Sequence, residues 1–286
     1  MQIPATSHNT IAFQGALGAY SHLACKVKYP DMAVLPCASF EEAIGAVQSG
    51  EARLAMIPIE NSTAGRVADI HILLPGSGLF IIAEHFETID HCLLAVKSAT
   101  LKTLKTATSH VQALSQCRKT LQKIALKPVP FADTAGAAKH IADLNDPTVA
   151  AIASSLAAKV YNLDIKQKSL QDKGNNTTRF VVLSREANNP KTLKSPTMTT
   201  FTFEVKNVPA ALYKAMGGFA TNGVNMTKLE SYYDSDSFTA TEFFADIEGS
   251  LNDENVARAM EELQFHSKRI TLLGSYMQER SRTLGL

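Results

Sequence analysis

Between residues 10 and 185, short apolar runs that stop at glycine or a polar residue alternate with stretches of helical spacing, and this alternation leaves few folds open. TIAFQG (10–15) reads as a buried strand halted at Gly15, after which ALGAYSHLACKVKY resumes with helical spacing at Leu23, Val27 and flanking alanines. Ser39 precedes Phe40, Ala43, Ile44 and Val47, with Glu42 three residues after the serine and Gly50 past the end, which predicts a capped helix. RLAMIPIEN (53–61), HCLLAVK (91–97) and VAAIAS (149–154) predict strands. A helix is expected from about Ser109 to Leu126, and another opened by Asp133 and Thr134. Such alternation builds parallel α/β layers.

The pattern changes after FVVLSR (180–185). EANNPKTLKSPT (186–197) is polar, holds two prolines and lacks apolar periodicity, so it reads as a linker with a domain boundary near 190. Beyond it MTTFTFEV, VNMTKLESYY, FTATEFFADIEG and RITLLGSYM predict strands, the middle two joined by the turn residues DSDS. VPAALYKAMGGFATN and NDENVARAMEELQFH predict helices, the first with Pro209 in its opening turn and Asn207 as its cap. The order βαββαβ over 198–277 is that of a ferredoxin-like unit, and 278–286 remain as a tail. A chain of 286 residues accommodates one large and one small domain.

The 28 basic and 27 acidic side chains nearly cancel, and no basic run is interleaved with aromatics, which argues against nucleic acid as a partner. Cys25, Cys37, Cys92 and Cys117 sit in or beside apolar stretches without C-x-x-C spacing, as reduced thiols of a cytosolic protein do. The N-terminus lacks the basic and apolar regions of a signal peptide, and apolar runs such as LFIIA (79–83) are too short to span a bilayer. A cytoplasmic protein with no membrane partner is expected.

In parallel α/β layers ligands sit beyond the carboxyl ends of strands, where helix N-termini offer free N–H groups. Four such points are rich in neutral donors: GALGAYS (15–21), PIENSTAGRV (58–67), SHVQALSQC (109–117) and NNTTRF (175–180). Together they suit a small anionic ligand. Asn61, Ser62 and Thr63 can present donors to a carboxylate with Glu60 as the nearest acid, or they can simply cap a helix beside a solvated Glu60. Ser109 can be an N-cap with Gln112 completing a capping box, and Gln116 shares the face of Gln112 one turn on. GALGAYS lacks the lysine of a P-loop and the spacing of a dinucleotide loop. Glu84, His85, Glu87, Asp90 and His91 cluster in AEHFETIDHC, but without metal-ligand spacing they read as a solvated connection. No nucleophile elbow occurs.

In this order FQGALGAYS, PIENSTAGRV, SHVQALSQC, FADTAGAA and NNTTRF resemble the motifs of the prephenate dehydratase family. The trailing βαββαβ unit resembles that family's ACT regulatory domain, with NVPAALYKA and KLESYY at its two ligand-binding motifs. The resemblance implies a catalytic region (1–185) of two α/β subdomains around a cleft, similar to a periplasmic binding protein, with strands crossing near 80–95 and 165–180. Segment 186–197 is then the linker and 198–277 the ACT domain.

The implied reaction converts prephenate to phenylpyruvate, CO2 and water, with no cofactor and no metal. Aromatisation drives that step, so the protein has to orient two carboxylates and help hydroxide depart. By the resemblance, Thr178 donates to the leaving hydroxyl, Asn61, Ser109 and Gln116 bind or orient substrate, and Glu60 is the candidate acid or its electrostatic neighbour. Ser62, Thr63, Arg179 and Phe180 are implied as substrate-binding residues, and Arg179 is open to two roles, carboxylate clamp or structural ion pair.

The family binds phenylalanine at an ACT dimer interface, and Asn207, Pro209, Ala210, Leu212, Glu230 and Ser231 occupy the matching positions. Ala210 stands where the family often has glycine, and Tyr232 and Tyr233 where it often has Arg-Pro, which bears on effector affinity. A homodimer or homotetramer is implied. The absence of a helical segment before TIAFQG argues for a monofunctional enzyme. Arogenate as substrate, or a non-catalytic amino-acid sensor, are the alternative readings.

Overall fold

The structure, a computed structural model, describes residues 7–194, 196–233 and 240–279. The elements follow the chain as β1 (Thr10–Gln14), α1 (Tyr20–Lys28), β2 (Ala33–Cys37), α2 (Phe40–Ser49), β3 (Leu54–Asn61), β4 (Gly65–Arg66), α3 (Ala68–Gly76) and β5 (Phe80–Thr88). Next come β6 (Cys92–Ala95), β7 (Thr106–Ser109), α4 (Val111–Gln116), α5 (Arg118–Lys123), β8 (Lys127–Pro130), α6 (Thr134–Leu144), β9 (Val149–Ala153), α7 (Ser155–Val160), β10 (Asp164–Gln167) and β11 (Thr177–Ser184). The last elements are β12 (Thr197–Val205), α8 (Ala211–Thr221), β13 (Met226–Tyr233), β14 (Ala240–Glu248), α9 (Glu254–His266) and β15 (Ser267–Met277).

Two compact units emerge. The first holds residues up to Val67 together with Phe86–Phe180, and the second holds Ala68–His85 with the chain from Val181 onward. One sheet has the order β2-β1-β3-β11-β5, with β4 paired to β3. Strands β5 and β11 each pass from one unit into the other.

Ile11, Ala12 and Phe13 of β1 are wholly buried between the parallel neighbours β2 and β3, as a strand covered on both faces requires. A second sheet, β10-β6-β9-β7-β8, is built around Leu93, Ala107, Ala150 and Ile152. The expected two-lobed α/β arrangement is thus present. Helix α2 forms as its sequence dictates: Ser39 Oγ accepts from Glu42 N at 3.2 Å, and Gly50 ends the helix at φ 84°. Asp133 likewise opens α6 by accepting from Gly136 N at 2.7 Å.

Three local expectations change. In α1 the buried face is Ser21, His22, Ala24 and Cys25, while Val27 is exposed, because small side chains let the helix lie close to the sheet. The helix expected over 109–126 is two short ones, α4 and α5, divided at Cys117. Ser109 still pairs in β7, so His110 takes the cap, its Nδ1 accepting from Gln112 N at 3.3 Å. The acidic and histidine cluster of 84–91 is not a solvated connection: Glu84, His85 and His91 are buried. Glu84 Oε1 accepts from Glu279 N, and His85 Nδ1 lies 3.2 Å from Glu279 Oε1.

In the second unit β12, α8, β13, β14, α9 and β15 form an antiparallel sheet of order β13-β14-β12-β15, the ferredoxin-like arrangement. Phe201, Phe203, Phe219 and Phe243 stack against Ala215, Ala259 and Leu263 beneath the two helices. On alternate positions Thr200 Oγ1 donates to Asp246 Oδ1 at 2.6 Å and meets Tyr276 Oη at 2.7 Å. Segment 186–197 lies within this unit, where Asn188 Nδ2 donates to the carbonyls of Ile82 and Ser275 at 2.8 and 3.0 Å. Helix α8 starts at Ala211 without a side-chain cap, so Pro209 precedes its first turn and Asn207 does not cap it. A turn over Lys206–Ala210, with Ala210 at φ 60°, delays the helix. The DSDS turn at 234–237 and residues 280–286 of the expected tail lie outside the described residues.

Candidate active site

The carboxyl ends of β1 and β3, the β3–β4 turn, the starts of α1, α4 and α6, and the beginning of β11 enclose a cavity of about 470 Å³ in the first unit. Its wall includes Asn61, Gln116, Asn176, Thr178 and Phe180. The sharpest feature is a closed ring of hydrogen bonds. Asn61 Nδ2 donates to Asn176 Oδ1 at 2.7 Å, Asn176 Nδ2 to Gln116 Oε1 at 3.0 Å, Gln116 Nε2 to Thr63 Oγ1 at 3.3 Å, and Thr63 Oγ1 to Asn61 Oδ1 at 2.7 Å. Mutual polarisation makes such a satisfied ring stiff.

Local backbone chemistry sets the ring up. Asn61 Oδ1 accepts from the N–H groups of Thr63 and Ala64 at 3.0 and 2.9 Å, turning the chain from β3 into β4. Asn175, at φ 67°, bends the chain just ahead of Asn176. Ser62 clamps the two segments: its N–H donates to Thr177 O at 2.9 Å, and its hydroxyl accepts from Thr177 N at 3.0 Å. Of the two readings of Asn61–Thr63, a helix cap is therefore not what forms; the amide shapes a hairpin turn and reaches the cavity.

Asn61 Nδ2 also donates to Thr178 Oγ1 at 2.9 Å. The threonine oxygen accepts in that bond, so its own hydrogen is left to donate into the cavity whose wall it forms. Behind the ring His91 is buried with Nε2 2.9 Å from Gln116 Oε1 and Nδ1 2.9 Å from the Tyr20 hydroxyl. Burial lowers the His91 pKa and raises that of Tyr20 well above its usual value. A neutral imidazole donating from Nε2 to Gln116 satisfies both contacts. Burial also pushes the thiols of Cys92 and Cys117 up to about 11 and about 12, so neither is a ready nucleophile.

Other sequence candidates lie elsewhere. Ser109 is wholly buried and donates to Ile152 O at 2.6 Å, tying β7 to β9 rather than lining the cavity. Arg179 is 2% exposed and its Nη1 lies 3.0 Å from Glu60 Oε1, an ion pair outside the cavity wall. Of its two open roles, the structural one is formed. Asn207, Pro209 and Ala210 are exposed ahead of α8, while Glu230 on β13 lies 3.3 Å from His71 and 2.9 Å from Lys228. Among the described residues no three His, Cys, Asp or Glu side chains converge as a metal site would need, and no helix is long and apolar enough to cross a membrane.

Asn176, His91 and Tyr20 carry no role in the sequence reading, yet the structure brings all three to the cavity. Asn176 sits in the polar half of NNTTRF, where the only available signal was its adjacency to Thr178. His91 precedes a buried strand directly, which is itself a hint of burial.

Over residues 11–188 the chain matches the prephenate dehydratase family. The chain belongs to that family. The bifunctional N-acyl-homoserine lactone acylase/prephenate dehydratase of Komagataeibacter europaeus is 47% identical over 269 residues, covering 93% of this chain and 95% of that protein. Arogenate dehydratase/prephenate dehydratase 2 of Arabidopsis thaliana is 37% identical over 281 residues, 93% of this chain and 72% of the plant protein. Among solved structures, the prephenate dehydratase of Arthrobacter aurescens in complex with L-Phe superposes with a TM-score of 0.85 at 30% identity, over 94% of this chain and 90% of that one. For this member of the prephenate dehydratase family the cavity holding Thr178 is the candidate active site.

Proposed function

We propose that the protein is a prephenate dehydratase acting in phenylalanine biosynthesis in the cytoplasm, with residues 1–185 as catalytic region and 198–277 as a phenylalanine-responsive ACT domain. The observation that carries the reading is the Thr178 hydroxyl, oriented by Asn61 with its hydrogen available in a cavity of neutral donors. In the proposed step the ring carboxylate leaves as CO2, and the electron pair of the broken C–C bond enters the ring. As that pair completes the aromatic ring, the bond to the ring hydroxyl breaks and the oxygen departs as hydroxide, which takes a proton from solvent to become water. Thr178 stabilises the developing negative charge by hydrogen bonding, while Asn61, Asn176 and Gln116 hold the wall in shape. A threonine hydroxyl is a weak acid, so donation of a hydrogen bond suffices in this role. Ser62, Thr63 and Ser109 position this wall, Phe180 contributes apolar surface, and the Glu60–Arg179 pair anchors the strand that carries Thr178.

Feedback by phenylalanine is supported by the L-Phe complex of the Arthrobacter aurescens relative. In this chain the proposed effector residues are Asn207, Pro209, Ala210, Leu212, Glu230 and Ser231, in a homodimer or homotetramer. The test is side-by-side kinetics on prephenate and arogenate, with and without phenylalanine. Phenylpyruvate formation from prephenate is expected, and phenylalanine binding without turnover of either substrate would instead identify a sensor. A second reading is favoured by the 47% identical relative, which carries an N-acyl-homoserine lactone acylase activity in its name. Release of homoserine lactone from such a substrate by the same preparation would establish it.

A further inference from the structure

Three side-chain amides of the cavity wall, those of Asn61, Asn176 and Gln116, are joined to one another, and each has its oxygen occupied inside the protein. Asn61 Oδ1 accepts from the Thr63 and Ala64 N–H groups, so the backbone alone fixes which way that amide faces. Its Nδ2 must then meet an oxygen. Asn176 turns Oδ1 to it at 2.7 Å, which leaves Asn176 Nδ2 for Gln116 Oε1 at 3.0 Å. Gln116 Oε1 in turn lies 2.9 Å from His91 Nε2, a contact that requires a hydrogen on that nitrogen. One hairpin turn therefore dictates the orientation of all three amides and of the imidazole behind them.

The Tyr20 hydroxyl has one hydrogen and two acceptors within reach, His91 Nδ1 at 2.9 Å and the Asp90 carbonyl at 3.0 Å. Burial keeps the imidazole neutral, and a neutral ring protonated on Nε2 has a bare Nδ1, so the hydroxyl hydrogen belongs to the bond with His91. Were it given to Asp90 alone, the ring proton would move to Nδ1, and Nε2 would face Gln116 Oε1 acceptor to acceptor. The Tyr20 ring stands edge-on to the imidazole at 5.6 Å and 76°, and the His91 N–H donates to Gln171 Oε1 at 2.9 Å, which holds the pair in place. We infer that Tyr20 and His91 are positioning residues of the reaction: Tyr20 selects the Nε2–H tautomer of His91, and that hydrogen holds the Gln116 oxygen away from the substrate. Among the described residues, one hydrogen each on Gln116 Nε2, Asn176 Nδ2 and the Thr178 hydroxyl has no protein acceptor, so this part of the wall offers hydrogens to an anionic substrate. Without the His91 hydrogen the Gln116 amide can turn over, setting its NH2 against that of Asn176 and undoing the order that reaches Thr178 through Asn61.

The test reads the tautomer apart from turnover, because the inference rests on the function proposed above. NMR of the full-length protein with isotope-labelled histidine reports which imidazole nitrogen carries the hydrogen at neutral pH, the His91 signals being those absent from His91→Leu. Unmodified protein is expected to show Nε2–H, and Tyr20→Phe, which keeps the ring and removes the hydroxyl, should shift the population toward Nδ1–H. The same substitution should lower kcat/KM on prephenate about tenfold, the weight of one hydrogen bond, with little change in melting temperature. His91→Leu should lose at least as much. His91→Gln, whose amide nitrogen can stand near the Nε2 position, should recover part of that loss, and His91→Asn, whose amide reaches only the Nδ1 position, should not. An Nδ1–H tautomer in unmodified protein overturns the inference, as does undiminished kcat/KM in Tyr20→Phe or His91→Leu. Equal losses in His91→Gln and His91→Asn overturn it too, since the imidazole would then only fill space. Failure of unmodified protein to form phenylpyruvate would sink the proposed function, whereas the tautomer shift decides the Tyr20–His91 lock separately.

Discussion

The side-chain amide of Asn61 donates to the hydroxyl oxygen of Thr178 over 2.9 Å, across 117 residues of chain. This bond joins the end of β3 to the start of β11 and aims the threonine hydrogen at the cavity. Removing either partner should therefore act on turnover more than on folding. Thr178→Ala is expected to lower kcat by about 10²–10³, the usual cost of a lost donor to developing charge. Thr178→Ser should retain most activity, and Asn61→Ala should fall with Thr178→Ala rather than add to it. A double-mutant cycle on kcat checks this, and wild-type-like turnover of Thr178→Ala would remove the residue from the mechanism.

The Glu60–Arg179 pair predicts the opposite balance. With Arg179 buried and Glu60 a third exposed, Glu60→Gln should destabilise the fold by about 1–3 kcal/mol, less than a fully buried pair would lose. The denaturant midpoint measures it. A normal midpoint with collapsed kcat would instead make Glu60 an acid in the reaction.

Gly274 of β15 sits at φ 152°, and a Cβ built there would lie 2.2 Å from the Ile81 carbonyl oxygen. Neither atom is the free end of a side chain, so the backbone has to move. Gly274→Ala should cost about 3 kcal/mol or more, at the upper end of overpacking effects. A large fall in melting temperature is expected, and a shift within a degree or two would contradict the close approach.

Ala210 holds φ 60° and ψ 17° at the start of α8, a left-handed conformation in which its Cβ crowds the following carbonyl. Ala210→Gly removes that strain and is expected to stabilise by about 0.5–1 kcal/mol. A rise in the denaturant midpoint with an unchanged slope would register it.

His22 stacks on Phe13 at 5.5 Å and accepts the Gly18 N–H on Nδ1 at 2.9 Å, while burial lowers its pKa from 6.5 to about 4. The native state keeps this ring neutral where the unfolded chain already binds a proton. Its contribution is therefore complete above pH 6.5, falls as pH drops, and is spent near pH 4. His91, lowered in the same direction, adds to the effect. Stability is expected to drop by about 1–3 kcal/mol across that interval, and His22→Phe should flatten the pH dependence of the urea midpoint.

Much of the framework was legible in advance because it rests on local chemistry. Ser39, Glu42 and Gly50 bound α2 through contacts within one turn, and the alternating apolar residues of 198–277 place the four strands of the ferredoxin-like sheet. Local pattern misleads where a neighbour distant in sequence claims a residue. Ser109 looks like a cap until β9 offers it the Ile152 carbonyl, and Glu84 and His85 look solvated until Glu279 meets them. Val27 fits a helical stripe, yet the sheet accepts the smaller face of Ser21, Ala24 and Cys25.

The sequence by itself determined the alternation of strand and helix, the βαββαβ order of the C-terminal unit and the motifs that mark the family, since periodicity, caps and turns are encoded within a few residues. Only the tertiary structure decided which polar side chains meet. Asn61, Asn176 and Gln116 come from three separate segments, and Arg179, open in the sequence to two roles, is enclosed beside Glu60. A hydrogen bond or ion pair depends on distance in space, and no local pattern records the distance between residues more than a hundred positions apart.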